Sequence, residues 1–253
     1  MTWSLAKGTA LVTGASSAIG VLYAHGLARR GYNLLLVARQ AERLEDFAAW
    51  LRLHSGKSVV PLSADLTDQV DIAGIEDRLA RDPGLTLVVN NADEGTNGAP
   101  SLARMGGVEA MLALNASPPA RLAYAAAIAF SERRRGTVVN IVSATSTGTA
   151  QSRAGEGDKP FLVTLSETLD GELRGTGVRT QVVAPEPSAS ALWNLAGRAI
   201  DRLPRQVVLL AEEMVGQALT GLDAGEPVTR PMAPRFAGWD LREPAPAGSF
   251  AFR

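Results

Sequence analysis

Cysteine is absent from the 253 residues. Disulfides, thiolate nucleophiles and zinc–thiolate sites are therefore excluded. Histidine occurs only at His25 and His54, too few for a multi-histidine metal centre and poorly suited to a His-based triad, so no metal is expected. Tyrosine occurs three times, at Tyr23, Tyr32 and Tyr124, and nowhere after residue 124. No apolar run approaches the roughly 20 residues needed to span a bilayer, and Met1 to Gly8 lack the basic-then-apolar pattern of a signal peptide. The expectation is a cytoplasmic protein with no membrane partner. Charge of either sign is not in excess: the formal net charge is −1, which gives nucleic acid no electrostatic footprint.

What is present is an ordinary globular composition, 46% hydrophobic and 20% charged, over a length that suits one α/β domain. Short apolar runs alternate with longer helical patterns. Strands are expected at 9–13, 33–38, 58–63, 85–90, 137–142 and 178–184. Helices are expected at 19–30, 40–54, 68–81, about 108–132, 159–174 and about 211–222. The run Leu34-Leu35-Leu36-Val37 reads as a strand buried on both faces. Strict β/α alternation predicts a Rossmann-type doubly wound parallel sheet with helices on both faces, occupying residues 1–225. The stretch 226–253 differs. It holds Pro227, Pro231, Pro234, Pro244 and Pro246, which preclude a continuous helix, with Phe236, Trp239, Phe250 and Phe252 among them. It is expected to be a tail packed on the domain or on a partner subunit.

Between the first strand and first helix lies Thr13-Gly14-Ala15-Ser16-Ser17-Ala18-Ile19-Gly20. A glycine turn there lets backbone N–H groups and the helix N-terminus approach a pyrophosphate. Gly14, Ser16, Ser17, Ile19 and Gly20 are its candidate contacts. An NAD-binding sheet usually places a carboxylate at the end of the second strand, on the ribose hydroxyls. Here that strand ends Val37-Ala38-Arg39, and the guanidinium fork of Arg39 suits a 2′-phosphate. The dinucleotide expected is NADP(H).

The loop is similar to the Thr-Gly-x-x-x-Gly-x-Gly signature of the short-chain dehydrogenase/reductase family, with Ala18 in place of the middle glycine, where its methyl is expected to crowd the phosphate. The resemblance runs over about residues 5–223. Asp65 in Ala64-Asp65-Leu66-Thr67 resembles the family's adenine contact. Asn91 and Ala92 in Asn90-Asn91-Ala92 resemble the segment that ends the fourth strand beside the cofactor. Asn115 resembles the helix asparagine of a water relay, Ser143 in Asn140-Ile141-Val142-Ser143 the catalytic serine, and Lys159 the catalytic lysine that also holds the nicotinamide ribose. Trp193 and Gly197 fall where one subgroup has a substrate-loop Trp and Gly. The resemblance implies an oxidoreductase acting on a small molecule, and a homodimer or homotetramer, or a heteromer with a relative. The interface implied is the helix pair at 108–132 and from Lys159, where Ala113, Ala116, Ala120, Ala123 and Ala125–Ala127 permit close approach.

The departures concentrate at one end. The family pairs its lysine with a tyrosine four residues earlier, a spacing that puts both on one helix face. Here that position is Gly155, and Pro160 places the helix start near Asp158, leaving Gly155 in a loop. Asp93 and Glu186 stand where the family has glycines near the nicotinamide. Three readings stay open. One is an NADP(H)-dependent oxidoreductase with an altered active site. Another is a non-redox enzyme, such as a lyase, isomerase or cyclase, with a carboxylate as acid or base. The third is a catalytically silent subunit or ligand sensor that partners an active relative. His25, His54 and the run Arg133-Arg134-Arg135 are read as structural or surface features.

Overall fold

Alternating apolar residues along each strand divide the core into two layers, one on each face of a central sheet. The computed structural model describes residues 7–92, 115–142, 158–186, 189, 192 and 198–233, with 158–160 in backbone only. Chain order is β1 (Thr9–Thr13), α1 (Ala18–Arg29), β2 (Asn33–Ala38), α2 (Ala41–Ser55), β3 (Val59–Ser63), α3 (Gln69–Arg81), β4 (Leu85–Asn90), α4 (Ser117–Glu132), β5 (Gly136–Ile141), α5 (Asp158–Glu172), β6 (Val178–Val183), a 3-10 turn (Ile200–Arg202), α6 (Arg205–Ala224) and β7 (Val228–Thr229). The seven strands are parallel in the order β3-β2-β1-β4-β5-β6-β7. The order reverses between β1 and β4, and that switch point is where such sheets open a crevice at their strand C-termini.

Ala10 and Val12 of β1, with Leu34 and Leu36 of β2, pack under α1, α2 and α6. Leu11, Leu35 and Val37 point the other way, under α3, α4 and α5. The two-residue strand period produces this division directly. Pro61 lies in β3, which is an edge strand and tolerates a missing N–H.

Two elements differ from the sequence expectation. Helix α6 begins at Arg205, six residues before 211, immediately after Pro204. Val207, Val208 and Leu210 bury its first turns, and that run of adjacent apolar residues hides the helical period. Val228–Thr229, expected in the tail, pair with Val182–Val183 as a seventh strand. Ala184 N–H to Thr229 O (3.0 Å) and Glu186 N–H to Pro231 O (2.9 Å) continue the contact. Of the helix expected over 108–132, α4 covers Ser117–Glu132; residues 108–114 lie outside the described residues, as do 234–253. No helix among the described residues is long and apolar enough to cross a membrane.

Candidate active site

The turn after β1 is built by glycines where no side chain fits. Gly14 has φ +62°, and a Cβ there would meet Asn91 Nδ2 at 2.8 Å and Ala92 Cα at 2.9 Å. A Cβ on Gly20 would press into the Gly14 carbonyl, so α1 starts hard against the turn. Ser17 caps α1, its Oγ accepting from Gly20 N–H at 3.1 Å. Ala15 N–H donates to Val37 O, Ser17 N–H to Gly14 O and Ala18 N–H to Arg198 O. The Ser16 and Ile19 amides have no acceptor among the described residues. These two free donors, at the positive end of a 12-residue helix with no acidic residue in its first turn, match what a pyrophosphate requires. The Ala18 methyl does not project from the loop: the residue is fully buried in the core.

Asn91 and Ala92 are fastened to that turn. Asn91 Nδ2 donates to Thr13 O (2.9 Å), Gly14 O (3.1 Å) and Ser17 Oγ (3.3 Å). Thr13 Oγ1 accepts from Asn91 N–H (2.9 Å) and Ala92 N–H (3.0 Å) and donates to Val89 O (3.3 Å). Thr13 is buried, and its one hydroxyl joins the ends of β1 and β4. Sequence reading assigned it no role; a hydroxyl closing an otherwise apolar strand was the available signal.

Arg39 stands exposed just past β2 and makes no ion pair among the described residues. Asp65 lies past β3. Its Oδ1 accepts from Thr67 N–H (2.9 Å) and Thr67 Oγ1 (2.8 Å). These bonds, helped by the charge of Arg39, hold its carboxyl below the ordinary carboxylate range. Arg43, on the first turn of α2, bonds Gln40 Oε1 at 3.2 Å and pairs with Asp201. With Ala18 bonded to Arg198 and Ser17 bridged to Ala199, this brings the 198–202 segment to the same sheet edge. Loop, Arg39, Asp65, Asn91 and Ala92 therefore all lie at the strand C-termini on either side of the switch point.

At the other half of the crevice, Asn115 is partly exposed at the start of α4. Lys159 is the second residue of α5, which starts at Asp158 as Pro160 predicts. Ser143, Asp93, Gly155, Trp193 and Gly197 lie outside the described residues. Glu186 is partly exposed, and its amide is pinned to Pro231 rather than loose.

Beneath this half runs a buried polar chain that sequence reading did not single out. Asn90 Nδ2 donates to Pro119 O (3.1 Å) and Asn140 Oδ1 (2.8 Å). Asn140 Nδ2 donates to Ser166 Oγ (2.7 Å), whose hydroxyl donates to Leu162 O (2.7 Å). The signal was an asparagine at or next to the end of each of two apolar strands, Leu-Thr-Leu-Val-Val-Asn and Gly-Thr-Val-Val-Asn-Ile.

All three tyrosines are described. Tyr23 is fully buried in the core, where burial pushes its phenol well above the ordinary value. Tyr32 precedes β2, near the N-terminal edge of the sheet, under the Lys7 ammonium. Tyr124 is half-exposed on α4. The histidines flank Trp50: His25 edge-on at 5.8 Å and His54 stacked at 4.4 Å. Among the described residues no group of histidine and carboxylate side chains could hold a metal.

The fold is matched in known proteins. A crystal structure of a bulky-bulky ketone specific alcohol dehydrogenase from Comamonas testosteroni superposes with a TM-score of 0.75 at 35% identity, covering 88% of this chain and 86% of that one. A short-chain dehydrogenase from Sphingobium yanoikuyae in complex with NADPH gives 0.75 at 37% identity, over 88% and 87% of the two chains. An uncharacterized oxidoreductase of Myxococcus xanthus is 35% identical over 181 residues, 70% of each chain. The profile of the short chain dehydrogenases matches residues 8–199. The chain belongs to the short chain dehydrogenase family.

Proposed function

We propose that this chain is an NADP(H)-binding short-chain dehydrogenase-type oxidoreductase whose carbonyl chemistry is curtailed by an altered active site. The observation that carries the cofactor half is the cradle at α1: two amides without acceptors among the described residues, glycines where a Cβ would collide, and, one strand away, Arg39, which is exposed and makes no ion pair among the described residues. The NADPH held by the Sphingobium relative supports the same reading. The residues that would hold the dinucleotide are Ser16, Ser17, Ile19 and the two glycines at the pyrophosphate, Arg39 at the 2′-phosphate, Asp65 at the adenine, Asn91 and Ala92 beside the nicotinamide half, and Lys159 at its ribose. The chemistry such a cofactor supplies is hydride exchange with a carbonyl carbon. The substrate class follows from the Comamonas relative, named for bulky ketones.

The curtailment rests on the tyrosines. Hydride delivery to a ketone leaves an alkoxide that needs a positioned proton donor. Ser143 is a poor acid, Gly155 occupies the position four before Lys159, and Asp93 and Glu186 are carboxylates at sequence positions where the family has glycines. None of the three tyrosines precedes Lys159 by four residues: Tyr23 is buried in the core, Tyr32 precedes β2 under Lys7, and Tyr124 is half-exposed on α4.

Titration with NADPH and NADH, by fluorescence or calorimetry, tests the cofactor half. NADPH is expected to bind at least tenfold more tightly, and Arg39→Asp to abolish or reverse that preference. Equal affinities for both cofactors in the wild type would remove Arg39 from the phosphate site.

The chain is also proposed to self-associate through α4 and α5. Ile128 and Tyr124 on α4 are 63% and 43% exposed, and Phe161 on α5 is 42% exposed; large apolar groups grouped this way mark contact surfaces. Light scattering at micromolar concentration is expected to give a dimer or tetramer, and Ile128→Arg a smaller species. A wild-type monomer would count against it.

A further inference from the structure

The buried chain Pro119–Asn90–Asn140–Ser166–Leu162 has a fixed direction. Pro119 O at one end and Leu162 O at the other can only accept. Asn90 must therefore turn its amide nitrogen to Pro119 and to Asn140, which sets Asn140 with its oxygen toward Asn90 and its nitrogen toward Ser166. The Ser166 hydroxyl accepts that bond and passes its own proton to Leu162 O. Asn90, Asn140 and Ser166 are 4%, 0% and 1% exposed, so water cannot replace a lost member from outside.

The chain crosses four elements, and each contact lies close in sequence to a residue of the candidate site. Pro119 is four residues after Asn115 on α4. Asn90 adjoins Asn91 at the end of β4. Asn140, directly across from Asn90 in the β4–β5 register, is three residues before Ser143. Ser166 is seven residues after Lys159, about two helical turns, which puts the two positions on one side of α5.

We infer that this buried asparagine–asparagine–serine chain is the positioning device of the site: it locks α4 and α5 against β4 and β5 so that the start of α4, the end of β5 and the first turns of α5, the helix that carries Lys159 in sequence, are held in register. Ser166 is then a positioning residue acting through Lys159. The inference rests on the cofactor reading above, and its test separates the two. Lys159 belongs to the nicotinamide-ribose half of the dinucleotide, whereas the glycine loop and Arg39 belong to the other half. NADPH spans both halves; adenosine 2′,5′-bisphosphate reaches only the second.

The experiment is a pair of titrations on the full chain with these two probes. Ser166→Ala is expected to weaken NADPH about tenfold and to leave the bisphosphate within twofold of wild type. Ser166→Thr, which keeps a hydroxyl able to bond the carbonyl four residues back, is expected to recover most of the NADPH affinity. Asn140→Ala should weaken NADPH similarly, and the double variant no further than the worse single one, as for members of one network. If Ser166→Ala does not fold, Ser166→Cys serves in its place, with a smaller loss expected on the same probe. Equal losses of both probes, or fully additive losses in the double variant, would overturn the inference in favour of a general stabilising role. If the wild type bound neither probe, the cofactor reading would fail and this inference with it. Tight bisphosphate but no NADPH binding by the wild type would overturn the placement of Lys159 and this inference with it, while leaving the adenine half of the cofactor reading intact.

Discussion

Tyr23 shows how burial decides a residue's role. Its hydroxyl is buried without a hydrogen-bond partner among the described residues, and an unsatisfied buried polar group costs about 1–3 kcal/mol. The phenol's pKa lies above its ordinary value of 10.0 because burial penalises the phenolate. The folded chain therefore keeps the proton while the unfolded chain loses it. Stability from this group is intact below the ordinary value and is lost as pH rises from there toward the raised one. Tyr23→Phe removes the orphan hydroxyl and the titration together. The melting temperature is expected to stay equal or rise by up to ~4 °C at neutral pH, with a larger gain above about pH 10. A clear fall at neutral pH would show that the hydroxyl has a partner or a task. The same burial excludes Tyr23 as a proton donor to a substrate.

Among elements, the join between α3 and α4 is held by arginines. Arg133 is the C-cap of α4, but its side chain serves another helix. Its guanidinium donates to Leu79 O (3.0 Å), Ala80 O (2.6 Å) and Asp82 O (2.9 Å), satisfying carbonyls at the negative end of α3. Arg121 adds a two-pronged pair with Glu76, both contacts 2.7 Å. Charge-assisted bonds of this kind are worth about 1.5–3 kcal/mol before solvent screening. Arg133→Ala is expected to lower the melting temperature by about 2–8 °C without changing NADPH affinity, as read by thermal melting and titration. An unchanged melting temperature would show that solvent already satisfies those carbonyls.

The same elements show what a one-dimensional reading can reach. β1, β2 and β4 lie at the residues expected, because runs of three to five consecutive apolar residues between turn signals read as buried strands in a β/α alternation. The glycine loop was legible because glycine marks a backbone need that no other residue meets. Arg133 was read as a solvated run, since its partners are some 50 residues away in sequence. β7 was missed because two residues carry no period, and only β6 alongside makes them a strand. The Asn90–Asn140–Ser166 chain needed the β4–β5 register, which follows from sheet order and not from either strand's own residues.

At the scale of the whole molecule, the proposed function separates the scaffold from the chemistry. The fold superposes with a TM-score of 0.75 on an enzyme named for ketones. The sequence departures Gly155, Asp93 and Glu186 fall at positions that the family resemblance assigns to the nicotinamide end. A chain retained for binding alone would need the cradle but not the tyrosine; a chain retained for turnover would need both. Loss of a positioned acid–base group costs about 10²–10⁴-fold in rate. The most direct measurement is therefore steady-state turnover of a panel of bulky ketones and their alcohols at saturating NADPH or NADP⁺. The account predicts kcat below about 0.1 s⁻¹ throughout, against the roughly 1–10³ s⁻¹ of ordinary enzymes. Turnover within that ordinary range would contradict it and require a proton donor other than tyrosine at the end of β4 and β5.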